Sequence, residues 1–128
     1  MTNPSDLKRM IADHMEAGFL ENIIDMFKHD RSLFSHLGHL INDGRGRVRM
    51  GAVALAETLK DGYPDEIVKA IPRIAEGLKN LDPAVRGDAA YLLEIIGHKD
   101  AIPYLTDALK DENGLVRDAV GEAMEKIT

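Results

Sequence analysis

The stretch Asp82-Pro83-Ala84-Val85-Arg86, continued by Ala101-Ile102-Pro103-Tyr104-Leu105 and then by Val116-Arg117, decides how the whole chain is read. Between Asp82 and Arg117 one unit is completed and the next begins. Working outward, a third Val-Arg stands at Val48-Arg49 and a second Ala-Ile-Pro at Ala70-Ile71-Pro72. Counted from each Val-Arg, apolar residues fall at matching places: Val48, Ala52, Leu55, Leu59; Val85, Ala89, Leu92, Ile96; Val116, Val120, Ala123, Ile127. That spacing makes one stripe on a helix. The intervening segments agree, with Leu33, Phe34, Leu37 and Ile41 taking the places of Ala70, Ile71, Ile74 and Leu78, and of Ala101, Ile102, Leu105 and Leu109. Two helices therefore alternate per unit. Units of this size bury their apolar faces only by stacking on neighbours, so the expected architecture is an all-α helical-repeat solenoid of about eight helices in antiparallel pairs.

The spacing is uneven in one place. Val48 to Val85 spans 37 residues and Val85 to Val116 spans 31, which puts six extra residues near Asp61-Gly62-Tyr63-Pro64 as a loop or as added helix turns. Upstream of the clear repeats, Asn3 caps a first helix with Pro4 at its first position and Asp6 against the positive end of the dipole. Leu7, Met10, Ile11 and Met15 form its stripe, and Gly18 ends it in the left-handed conformation. A second helix turns Leu20, Ile23, Ile24 and Phe27 inward, and after the cap residue Asp30 a third carries Leu33, Phe34, Leu37, Leu40 and Ile41. Asp82-Pro83 and Asn113 read as later helix starts and Gly97 as a helix stop. The whole chain, 1–128, reads as one domain, with 1–29 a degenerate repeat or cap and 30–128 the recognisable repeats.

Composition narrows the function classes. With 22 acidic and 16 basic side chains the net charge is -6, which favours solubility and disfavours a phosphate backbone as principal partner. Cysteine is absent, excluding disulfides, thiolate-zinc sites and a cysteine nucleophile. The start lacks the basic-then-apolar pattern of a signal peptide, no stretch is apolar enough to cross a bilayer, and the cytoplasm is the expected compartment.

The phrase Asp-Pro-x-Val-Arg-x-x-Ala-Ala at 82–90, with Ile96-Gly97, Ala101-Ile102-Pro103 and Leu109-Lys110-Asp111, resembles the HEAT-like repeats named from phycobilin lyases. The resemblance implies the solenoid fold over about residues 30–128. Its members include chromophore lyases, a di-iron hydroxylase, DNA glycosylases and many scaffolds, so fold analogy sets only a prior for activity. It further implies that Arg49, Arg86 and Arg117 form rungs of a ladder between repeats, with Asp43, Asp82 and Asp111 as candidate acids. It implies, too, that the Val-Arg helices line the concave side. Carried over position by position, the exposed residues of that face are Arg47, Met50 and Ala54; Ala84, Gly87, Asp88 and Tyr91; Leu115, Asp118 and Glu122. Tyr91 and Leu115 stand where a merely solvated helix would carry Lys or Glu, although Tyr91 packing on a neighbouring helix reads equally well.

Other chemistries find less support. His36 and His39 lie three apart on a helix, but their repeat equivalents, Arg73 and Tyr104, Glu76 and Asp107, prefer water, so the pair reads as solvated rather than metal-binding. The relatives with di-iron sites carry His-Glu dipeptides on successive repeats, and this chain has none. Arg45, Arg47 and Arg49, with Arg31, form the one dense basic patch. The carboxylates Asp88, Glu94, Asp118, Glu122 and Glu125 are not marked out as an acid-base pair. Met124 and Ile127, in stripe register on the last helix, suit a homodimer contact. The expectation is a non-catalytic protein-binding module, with no cofactor or metal, whose partner lies against Arg47, Met50, Ala84, Asp88, Tyr91, Leu115, Asp118 and Glu122. The alternative is an assembly factor handling a chromophore or cofactor.

Overall fold

Short polar side chains set where the helices begin. In the computed structural model, which describes residues 3–128, the Asn3 carboxamide accepts the Asp6 N–H at 2.9 Å and opens α1 (Pro4–Glu16). After Gly18, whose φ of 95° suits a residue without Cβ, α2 runs from Leu20 to His29. Asp30 accepts the Ser32 N–H at 3.0 Å and starts a 3₁₀ turn, Arg31–His36, that leads into α3 (Leu37–Ile41). A single α-helix was the expectation here. The Ser32 hydroxyl donates to Asp30 and the Ser35 hydroxyl to the Ser32 carbonyl, local bonds that compete with the α-helical ladder.

Then follow α4 (Gly46–Leu59), α5 (Pro64–Ala75) with a 3₁₀ turn at Glu76–Lys79, and α6 (Pro83–Ile96). Asp82 caps α6 by accepting the Ala84 N–H at 2.9 Å, and Gly97 ends it at φ 69°. A 3₁₀ turn at Lys99–Ala101 leads into α7 (Ile102–Ala108), and Asn113 caps α8 (Gly114–Ile127) through the Leu115 and Val116 N–H groups. The extra residues after Arg49 divide between loop and helix. Helix α5 starts at Pro64, six residues before Ala70, whereas helical geometry in the next unit starts at Lys99, two before Ala101.

The helices form two layers. One stacks α1, α4, α6 and α8; the other stacks α2, α3, α5 and α7 with their 3₁₀ turns. Between them runs one apolar core that includes Ile11, Phe27, Leu37, Leu55, Ile74, Leu92 and Leu105. The repeat stripes lie mostly in that core, and the second layer departs from it in its last unit: Ile41 and Leu78 are buried but their equivalent Leu109 is 41 % exposed, and Phe34 and Ile71 are buried but their equivalent Ile102 is half-buried. Within the described residues no helix follows α7 in its layer, so its outer side has nothing to pack on. Met124 and Ile127 are half-buried against the core. In the second layer the backbones nearly touch, for a Cβ on Gly38 would lie 2.7 Å from the Arg73 Cβ.

Candidate functional site

The Val-Arg arginines fix the geometry of the α4, α6 and α8 layer. Each sends Nη1 to the carbonyl six residues before it: Arg49 to Asp43 at 2.9 Å, Arg86 to Asn80 at 2.9 Å and Arg117 to Asp111 at 2.7 Å. The side chains of those same residues, Asp43, Asn80 and Asp111, accept the N–H two positions on, from Arg45, Asp82 and Asn113, each at 2.9 Å. One residue per unit therefore ties the loop to the following helix twice, satisfying backbone groups at the helix start.

Only two arginines continue across to the next unit. Arg49 Nε donates to Asp88 of α6 at 2.7 Å, and Arg86 holds Asp111 bidentately at 2.9 and 3.1 Å. Asp111 is the one expected acid that forms a rung. Asp82 serves as a helix cap, because in register it matches Arg45 and Asn113, while Asp43 spends its carboxylate on Arg45 at 2.9 and 3.0 Å. Arg117 forms no ion pair among the described residues. Burial alone would raise the Asp111 carboxyl; hydrogen bonds from Arg86 and the Asn113 N–H, with the charges of Arg86 and Arg117, bring it below the usual carboxylate range.

On this frame the outward positions line up. Arg47, Met50 and Ala54 project from α4; Ala84, Gly87, Asp88 and Tyr91 from α6; Leu115, Asp118 and Glu122 from α8. Tyr91 is 43 % exposed and Leu115 80 %. Asp88 differs from the rest, since its bond to Arg49 makes it part of the frame. Leu81, in the loop before α6, is almost fully exposed beside this layer, an apolar position that no repeat comparison singles out. At the far end of the helices Lys126 of α8 bonds Glu94 of α6 at 3.0 Å, and Lys60 reaches the Ile95 carbonyl at 2.9 Å. Neither contact is periodic.

The basic patch dissolves on inspection of its partners. Arg45 is held by Asp43 and by Asp13 at 3.0 Å, bonds that keep its guanidinium protonated even more firmly than usual, and Arg49 is buried on Asp88. Arg31 lies in the other layer, 5.3 Å from the Tyr63 ring centre and 3.6 Å from Glu66. Arg47 alone remains outward. Of the five carboxylates, Asp88 and Glu94 are paired, and Asp118, Glu122 and Glu125 are exposed. Among the described residues no three His, Cys, Asp or Glu side chains converge as a metal site, and no helix is long and apolar enough to cross a membrane. The reading of His36 and His39 as solvated needs correction. His39 is exposed, but His36, at the end of the 3₁₀ turn where Lys8 and Ala12 of α1 line the cavity beside it, is half-buried and its Nδ1 is enclosed without a hydrogen-bond partner.

The sequence model of HEAT repeats matches residues 34–125. The chain is a HEAT-repeat protein. No curated protein and no solved structure matches it. Members of the HEAT-repeat family commonly act as scaffolds for protein interaction, and in this HEAT-repeat protein a groove of about 700 Å3 lies between α5 and α7, away from the Val-Arg layer.

Proposed function

We propose that this HEAT-repeat protein is a non-catalytic interaction module that binds a protein partner across the outward face of α4, α6 and α8. The observation that carries the reading is the set of apolar side chains Met50, Tyr91 and Leu115, one from each successive helix, exposed on a frame in which Arg49 and Arg86 are buried and bonded. Exposed aromatic and aliphatic anchors on a rigid support are what an interface hot spot needs, since little side-chain or backbone freedom remains to be lost on binding. Charge adds direction. Arg47 flanks the α4 end, whereas Asp118 and Glu122 flank the α8 end, so the partner segment is basic where it meets α8.

The test compares affinity capture from the native host by the wild type and by Tyr91→Ala combined with Leu115→Asp. Asp88→Arg is unsuitable, because it would break the Arg49 rung and confound binding with folding. The expected result is loss of the captured partner with an unchanged melting temperature. Undiminished capture by the double variant contradicts the reading.

A further inference from the structure

Between α1 and the segment from His36 to Arg45, an open cavity of about 260 Å3 is lined by Ser5, Lys8 and Arg9 on one side and His36, His39, Asp43 and Arg45 on the other. Its composition is at odds with an acidic chain. The carboxylates at its rim are committed, Asp43 to Arg45 through two side-chain bonds and one backbone bond, and Asp13 to the same guanidinium. Lys8 and Arg9 form no ion pair among the described residues, and the His36 and His39 imidazoles line the same cavity beside them.

We propose that this cavity binds a phosphate group, as the free ion or as a phosphomonoester, with Lys8 and Arg9 supplying charge and Ser5, His36 and His39 supplying donors. A tetrahedral dianion accepts several hydrogen bonds at once, which suits donors converging from two helices. The cavity also leaves room for a substituent beyond the phosphoryl oxygens.

The imidazoles make the site sensitive to pH. In the free chain both titrate below their ordinary range: His36 through burial, then the charges of His39 and Lys8, against Asp30; His39 through burial, then Lys8 and Arg73, against Glu76. Asp30 is occupied with Ser32. A bound dianion favours both imidazolium forms, so binding takes up protons. Affinity is therefore greatest below the free-state values and falls as pH rises through the higher, bound-state values.

The experiment follows the His36 and His39 ring resonances by NMR while the full chain is titrated with inorganic phosphate, O-phosphoserine and sulfate at constant ionic strength. Sulfate stays a dianion throughout and isolates the histidine contribution. Saturable shifts at both rings are expected, with sulfate binding at least about tenfold tighter near about pH 5.5 than near about pH 8. Lys8→Met should weaken phosphate about tenfold and, without ligand, raise both imidazole values; Lys69→Met, outside the cavity, should do neither. Tighter binding of phosphoserine than of phosphate identifies an esterified ligand, and the reverse a free ion. Ring shifts no larger than those chloride gives, or equal loss in the two lysine variants, overturn the proposal.

Discussion

The two helix layers obey different rules. In the Val-Arg layer α4, α6 and α8 are each 14 residues long, and each arginine clamps the same carbonyl six residues back. In the other layer α3, α5 and α7 have 5, 12 and 7 residues, extended by 3₁₀ turns of unequal length. Regularity sits where a bond must recur in every unit; variation collects where packing alone has to be satisfied. The regular layer presents an even face, while the irregular layer holds the groove between α5 and α7.

Substitutions at matched positions sharpen this contrast. The largest effect is expected from Leu92→Ala, about 4 kcal/mol, because this fully buried side chain fills the shared core. Leu109→Ala in the other layer should cost less, about 1 kcal/mol, since Leu109 is 41 % exposed. Equal losses in urea unfolding would show that the layers are not distinguished in this way. Next comes Arg86→Met, about 3 kcal/mol, which strands Asp111 with its side chain only 9 % exposed. Arg49→Met should cost about 1.5 kcal/mol, because Asp88 can rehydrate, and Arg117→Met about 0.5 kcal/mol, because it forms no ion pair and adds to Asp111 only the last of several favourable terms. A common cost for all three would mean that the carbonyl clamp, and not the rung, carries the energy.

Acid gives an independent check on the Arg86 rung. The folded Asp111 carboxyl titrates below 3.8, so its contribution is complete above that value and is lost as pH falls through the lower, folded one. The stability difference between wild type and Asp111→Asn should therefore be large at neutral pH and should close on acidification. A gap that stays constant would remove the ion pair from the account.

How much of this is legible in the chain follows from what recurs. Val48-Arg49, Val85-Arg86 and Val116-Arg117 repeat, so the helices, stripes and two layers can be read from them. Asp88 cannot be read as a rung, because its equivalents are Gly51 and Ala119 and an acid that occurs once leaves no period. His36 was misplaced for the opposite reason. Its equivalents Arg73 and Tyr104 are exposed, and repeat logic assumes equal surroundings, but α1 lies over His36 and nothing matching it lies over the others. Met50, Tyr91 and Leu115 are placed on the outer face by the resemblance to HEAT-like repeats, carried over position by position; whether a partner covers them is written in no spacing.

The most direct test of the claim that the regular layer is the recognition face uses two tyrosines of similar exposure, Tyr91 on α6 and Tyr104 on α7. A photo-crosslinking residue would be substituted at each position in turn and activated in the native host. The account predicts a specific partner adduct from position 91 and none from position 104. An adduct from position 104 alone, or equal adducts from both, would contradict it.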